Sequence, residues 1–501
     1  MRKTIILAAS VAILVAACVI GLMRGTDLFR PRNIEDVFAR IYKEAITSDP
    51  DFVRANLDTL IQLKNTGEIQ LPDLSHEGFL KRTEASKDWN AYLDRFDAAP
   101  LNNEQLTHLA IVKRWLNISE ASEKFEAYSF PITHLWGPHL EDQELFATLS
   151  VRSKADIEQY LRLLQNVESQ FGDLIDGLES RRKQNITLPT FILKQVIAQC
   201  NLVATSDADS TVFYRSFEND LNRIKLIDPQ SRAEYLAECS RIVKENVIPA
   251  YQRLTAYLLQ LERASLSISG LWQFEGGSEY YKHCILKYSE STNAPDTLYE
   301  IAKQELAVLE GQTQIISELA KTKRAFTTNS KNDSSLAMGL ASTKLSNWYL
   351  SDLITPSVVE GWKLYSSGTT INGSYGSSTQ LYSDHLQQDR EATAMMLIDL
   401  GIHEKRWLRE QAIAFYLKHL DGRQEEAIAA VDRIIVDPGR ATAAKIGQMR
   451  FKELEEWARS ELKDAYRPSE FRTVLTQNGP TTFAELEKAV RGYILSRSKP
   501  T

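Results

Sequence analysis

The chain has 501 residues, long enough for a large core, and its 43% hydrophobic and 25% charged residues are ordinary for a soluble globular protein. A net charge of -7, with no basic stripe interleaved with aromatics, excludes a nucleic-acid surface. Only 15 Pro and 22 Gly punctuate the chain, which favours long helices over many turns.

Met1-Arg2-Lys3 is a short basic start, and Ile5 to Met23 is a run of 19 residues without a charge. As a helix this run would span about 28 Å, at the lower edge of what a bilayer core requires. Within it, Val15-Ala16-Ala17-Cys18 matches a bacterial lipobox, which makes Cys18 a lipidation candidate. The residues after Cys18 are more apolar than such a signal usually carries, so three readings stand: an uncleaved signal anchor, a lipoprotein signal, or cleaved secretion. With the basic end inside, each reading places the bulk of the chain outside the cytoplasm, facing the periplasm or cell exterior. Residues 1–24 are therefore assigned to the signal or anchor and 25–32 to a linker.

From residue 33 the pattern is helical. Asp49-Pro50 caps a helix over Asp51 to Leu63. Ser153, with Asp156 three residues on, opens a longer one whose stripe is Ile157, Leu161, Leu164, Val167, Phe171, Leu174 and Leu178. Charge runs such as Glu179 to Lys183 read as solvated faces. Pro295-Asp296 starts another helix through Ile301, Leu306 and Leu309, and Phe451, Leu454, Ala458, Leu462 and Ala465 form a further stripe. The one strand candidate is Ser265 to Phe274, where apolar and polar residues largely alternate. Thr327 to Ser351 and Ser366 to Ser378 are rich in Ser, Thr, Asn and Gly and read as loops. Cys200, Cys239 and Cys284 are widely spaced and read as buried free thiols. These elements predict an all-α fold: one large helical domain over 33–499, with little strand.

Several blocks carry a resemblance. In chain order they are Phe130 to Gly137, Leu188 to Leu193, Val247 to Tyr251, and Gly270-Leu271-Trp272 through Tyr281. Glu360-Gly361-Trp362-Lys363-Leu364-Tyr365, Asp399 to Trp407 and Pro438-Gly439-Arg440-Ala441 follow. Together they resemble the domain-of-unknown-function 885 family, bacterial proteins that look like helical zinc peptidases on a gluzincin-like scaffold. The resemblance implies a metal site with a His-Glu helix ahead of the Glu-Gly-Trp block. It makes Glu360 a further ligand, and sets His403 near the substrate beside Asp399. It also implies a substrate groove lined by Trp362, Tyr365 and Trp407.

The His-Glu helix is missing. Of the 8 His, only His76 and His403 precede a Glu, and neither has a second His three or four residues beyond it. His134 and His139 flank a Trp-Gly-Pro turn, a poor spacing for helix-borne ligands. Only 54 residues separate Glu305 from Glu360, where the family places a longer segment, so the loop region 325–351 is shortened where the zinc helix would be. Against the family pattern, Ser367 stands for a Glu, Met395 for an Arg, Arg440 for a Gln and Ala444 for a Tyr.

A catalytic zinc needs three protein ligands and an open position, which one carboxylate and one His do not provide. The expectation is therefore a membrane-anchored, extracytoplasmic homologue of a metallopeptidase without catalysis, metal or cofactor. Such a protein would bind a peptide, a protein or an envelope component, with Glu360, His403 and Asp399 as vestiges. The competing expectation is an active peptidase- or carboxypeptidase-like hydrolase using Glu360 and His403 with an unconventional zinc site. If the packing of the relatives is kept, Glu360 and His403 should approach within one water-bridged hydrogen bond across a retained, shallower groove.

Overall fold

The computed structural model describes residues 33–55, 70–322, 348–372, 379–477 and 479–498. Its first half contains α1 (Ile34–Ser48), α2 (Pro50–Ala55), α3 (His76–Asp94), α4 (Asn103–Ala121), α5 (Pro138–Thr148), α6 (Lys154–Lys183), α7 (Thr190–Ala204), α8 (Val212–Arg223), α9 (Pro229–Ile242) and α10 (Ile248–Ala264). The second half contains α11 (Gly277–Ser289), α12 (Pro295–Thr322), α13 (Pro356–Asn372), α14 (Thr379–His403), α15 (Arg409–His419), α16 (Gln424–Val436), α17 (Ala443–Leu462), α18 (Pro468–Thr476) and α19 (Phe483–Ser498). No strand occurs among the described residues. The expected span and Cys18 lie in residues 1–32, outside the described residues. Among those described, no helix is long and apolar enough to cross a membrane.

Local chemistry accounts for the boundaries. Ser153 and Asp156 form a reciprocal capping box that starts α6. Along α6, Ile157, Leu164, Val167, Phe171, Leu174 and Leu178 are buried, and Leu161 packs partly buried against the same core. Pro249 lacks the N–H that an α-helix would use there, and the chain passes from α9 to α10 through a π-turn at Val243–Val247.

Several expectations change. Ser265 to Phe274 is not a strand: α10 ends at Ala264, and the segment closes in a 3₁₀ turn at Leu271–Gln273. Its alternation has no strand among the described residues to pair with. Ser366 to Asn372 is helical, continuing α13, and Trp348–Leu353 forms a 3₁₀ turn, while residues 323–347 and 373–378 lie outside the described residues. Ala465 is exposed, because α17 ends at Leu462. Arg181 is only 9% exposed. Although it sits in a run read as solvated, it donates to the carbonyls of Gly177, Glu126 and Ser129.

Three clusters make up the core. The largest joins the N-terminal helices with α16, a second unites α11, α12 and α14, and a third gathers α13, α17, α18 and α19. Helices α13 and α17 cross at backbone contact. A Cβ added to Gly447 would lie 1.9 Å from the Ser357 carbonyl oxygen, and one on Gly361 would lie 2.5 Å from the Gly447 Cα. Any side chain there would push apart the two helices that carry Glu360 and Lys445.

Gly447→Ala is therefore expected to cost about 3 kcal/mol or more in urea unfolding, through overpacking against rigid backbone. Gly172→Ala, at a helical glycine whose added Cβ meets nothing within 4 Å, is expected to be neutral or to stabilise by about 0.5–1 kcal/mol. Equal effects at the two positions would contradict the crossing.

Candidate functional site

Helix α14 delivers Asp399 into the centre of the second cluster, where it is fully buried. Its carboxylate accepts the Tyr281 hydroxyl from α11 at 2.8 Å, the Gly439 N–H at 3.0 Å and the Ala441 N–H at 3.2 Å. Gly439 has φ +81°, a left-handed conformation that glycine adopts without strain. Asp399 thus grips the Pro438-Gly439-Arg440-Ala441 turn on both sides of Arg440. Burial pushes its carboxyl up, to about 7, against the donated bonds, which favour the anion.

The turn presents Arg440 to α13. Its Nη1 donates to Glu360 Oε2 at 3.0 Å and its Nη2 to Oε1 at 2.5 Å, a two-pronged pair. Burial disfavours the guanidinium charge, and the bonds to Glu360 more than offset this. Both Glu360 oxygens are therefore committed to a cation that belongs to the chain. The Arg440 carbon Cζ lies 5.9 Å from the centre of the Tyr288 ring, and the Tyr288 hydroxyl donates to Asp437 at 2.7 Å.

His403 ends α14 and is fully buried. The Leu271 N–H faces Nδ1 at 3.3 Å, and Nε2 faces the Ile434 carbonyl oxygen at 3.0 Å. An N–H needs a lone pair and a carbonyl needs a proton, so the ring is neutral and protonated on Nε2. Burial lowers its pKa to about 4. The Tyr281 ring lies over it at 5.1 Å. Both nitrogens are spent on backbone groups, so the expected water bridge to Glu360 has no nitrogen to use. His403 and Asp399 instead meet on opposite ends of Tyr281, through its ring and its hydroxyl.

The expected groove lining is also corrected. Trp362 and Tyr365 are each 3% exposed. Tyr365 stacks on Phe451 in the third cluster and Trp362 meets the same ring edge-on, and Tyr365 donates to Glu455 at 2.7 Å. Trp407 packs elsewhere, against Tyr299 and Phe415. Trp362 and Tyr365 are core because apolar faces of neighbouring helices close over them, while Trp407 stays half-buried at the edge of the largest cluster. A small cavity of about 40 Å³, with room for a few waters, lies between α1, α3 and α4, near Glu44, Trp89 and Trp115.

Sequence reasoning missed a second polar group. Lys445 is fully buried and donates to Glu305 at 2.6 Å, to Gln448 at 2.8 Å and to Asp389. Gln448 also donates to Asp389 at 2.9 Å, and Lys452 approaches Glu305 at 3.4 Å. Burial raises the Asp389 carboxyl, but Lys445 and Lys452 hold it below the usual carboxylate range. Beside this group, the Ser367 hydroxyl and His385 Nδ1 are 2.8 Å apart. The available signal was Lys445 among Ala443, Ala444, Ile446 and Gly447, a lone charge in a run of small and apolar residues. Among the described residues, no group of three or more His, Cys, Asp and Glu is placed to hold a metal ion.

Asp399→Ala would strand a buried hydroxyl and two N–H groups and is expected to cost about 3 kcal/mol or more. The folded chain holds the Asp399 proton up to about 7, whereas the ordinary carboxyl value is 3.8. Its stabilising contribution is thus complete below the unfolded value and is lost as pH rises through 7. In urea unfolding, the gap between wild type and Asp399→Ala should be widest near the ordinary carboxyl value of 3.8 and narrow as pH rises toward 7, by up to about 1.4 kcal/mol per pH unit. A gap that widens with rising pH would refute this.

The chain matches the model of DUF885, bacterial protein of unknown function, over residues 61–353 and 335–490. None of the curated proteins matches it. Among solved structures it is similar to a candidate lipoprotein from Colwellia psychrerythraea, with TM-score 0.74 and 15% identity over 93% of this chain and 100% of that one. It is also similar to a candidate lipoprotein of unknown function from Shewanella oneidensis, with TM-score 0.63 and 14% identity over 89% of this chain and 99% of that one. At such identities the likeness is one of fold. The family match runs through the helices that carry Tyr281, Glu360, Asp399, His403 and Arg440, and this chain belongs to the DUF885 family of bacterial proteins.

Proposed function

We propose that this chain is a membrane-anchored, extracytoplasmic member of its family that lacks metal-dependent hydrolysis and acts by binding a peptide, a protein or an envelope component. The observation that carries the reading is the Arg440–Glu360 pair. The resemblance to zinc peptidases makes Glu360 a metal ligand, and a guanidinium locked on both of its oxygens takes the place of a divalent cation and repels one. A hydrolase built on Glu360 and His403 would first have to displace Arg440, then detach His403 from Leu271 and Ile434 and leave backbone groups unpaired.

Elemental analysis of the purified exported domain tests this. The expected result is far less than one zinc per chain, with or without added zinc. About one zinc per chain, lost in Glu360→Ala, would overturn the reading in favour of a hydrolase.

Attachment is proposed through residues 1–23. The lipobox at Cys18 and the candidate lipoproteins among the structural neighbours support lipidation over a spanning helix. Cell fractionation should find the chain in the membrane, and Cys18→Ser should release it or block its processing. Unchanged attachment of Cys18→Ser would identify a spanning anchor instead, and a soluble cytoplasmic chain would refute export.

A further inference from the structure

The Arg440 guanidinium has five N–H donors in a planar fork. Two are spent on Glu360, and no other acceptor among the described residues takes the rest. The side chain is 36% exposed, so the remaining donors are left to solvent. The base of the side chain is held firmly, because Asp399 binds the N–H groups on both sides of it and the turn rests on a left-handed Gly439. A guanidinium fixed at its root and open at its tip is preorganised for a planar anion, since little freedom remains to be lost on binding.

The surroundings narrow the ligand. Two cations lie near the Tyr288 ring, with Arg440 Cζ at 5.9 Å and Lys287 Nζ at 5.2 Å from its centre. Glu360, itself 35% exposed, already presents a carboxylate to the fork in two-pronged geometry. The fork therefore accepts that chemical group in this setting, and Glu360 acts as a built-in competitor for it. Glu360 and Asp437 make the site unattractive to a multiply charged anion, which favours a singly charged one.

We propose that Arg440 is a receptor for a carboxylate group of a peptide ligand, bound in competition with Glu360 and beside the Tyr288 ring. The inference rests on the binding role proposed above and names the chemistry of its ligand. Removing the competitor strengthens the site, and removing the fork abolishes it.

The test uses the exported domain with two probes, acetyl-alanyl-phenylalanine with a free carboxylate and the same peptide as its C-terminal amide, followed by isothermal titration or ligand-observed NMR. The expected result is selective binding of the acid, tightened at least about tenfold in Glu360→Gln and lost in Arg440→Gln. Arg440→Lys keeps the charge without the fork and should recover little of the affinity. Circular dichroism and thermal unfolding identify a variant that fails through misfolding. If folded Glu360→Gln binds neither probe, or binds acid and amide alike, the carboxylate proposal fails while the metal-free reading stands. One zinc per chain would instead remove the reading on which it rests. An acidic side chain as the natural source is distinguished by acetyl-glutamyl amide, whose binding in the same Arg440-dependent way would place the carboxylate within a peptide rather than at its end.

Discussion

The candidate site depends on one buried carboxylate. Asp399 is surrounded by apolar side chains and gathers the Tyr281 hydroxyl and the N–H groups of Gly439 and Ala441. Through those bonds it joins α11, α14 and the turn before α17. Everything nearby follows from that join: Tyr281 is held over His403, the turn aims Arg440 at α13, and α17 starts in register with the glycine crossing. A buried carboxylate is costly to desolvate, and it persists here because it accepts two N–H groups of the turn and the buried Tyr281 hydroxyl, which would otherwise go unpaired.

Charge around this centre is balanced by the chain itself. Arg440 faces Glu360 at the surface, and Lys445 faces Glu305 and Asp389 in the interior. Lys445 makes three bonds with its three ammonium protons, so the buried cation is satisfied, and α12, α14 and α17 are tied through one atom. Where a metal scaffold concentrates carboxylates around an ion, these side chains place a guanidinium and an ammonium among them. Beyond its pair with Glu360, Arg440 keeps donors to spare, which is why binding rather than hydrolysis is the proposal.

Much of the architecture was legible in the sequence because its causes are local. The Ser153–Asp156 box, the proline starts at Pro50 and Pro295, and the α6 stripe each encode a boundary or a face within a few residues. The failures are equally local in origin. Ser265 to Phe274 alternates like a strand without a partner to pair with, and Ser366 to Asn372 is polar yet carried into α13 by the packing of the turns before it.

The helical class, the family blocks and the place of Arg440 in a Pro-Gly turn follow from the sequence alone, because each is encoded within a few residues. What Arg440 meets depends on tertiary structure, because it is set by where α13 lies against the turn at Gly439. Likewise, spacing cannot tell that His403 gives both nitrogens to backbone, that Trp362 and Tyr365 face a core rather than a groove, or that Lys445 sits among acids from two other helices. Periodicity reports which face of a helix is apolar. Which neighbour covers that face, and which charge meets which, follows from contacts between residues far apart in the chain, 56 positions for Lys445 and Asp389, 80 for Arg440 and Glu360, and 140 for Lys445 and Glu305.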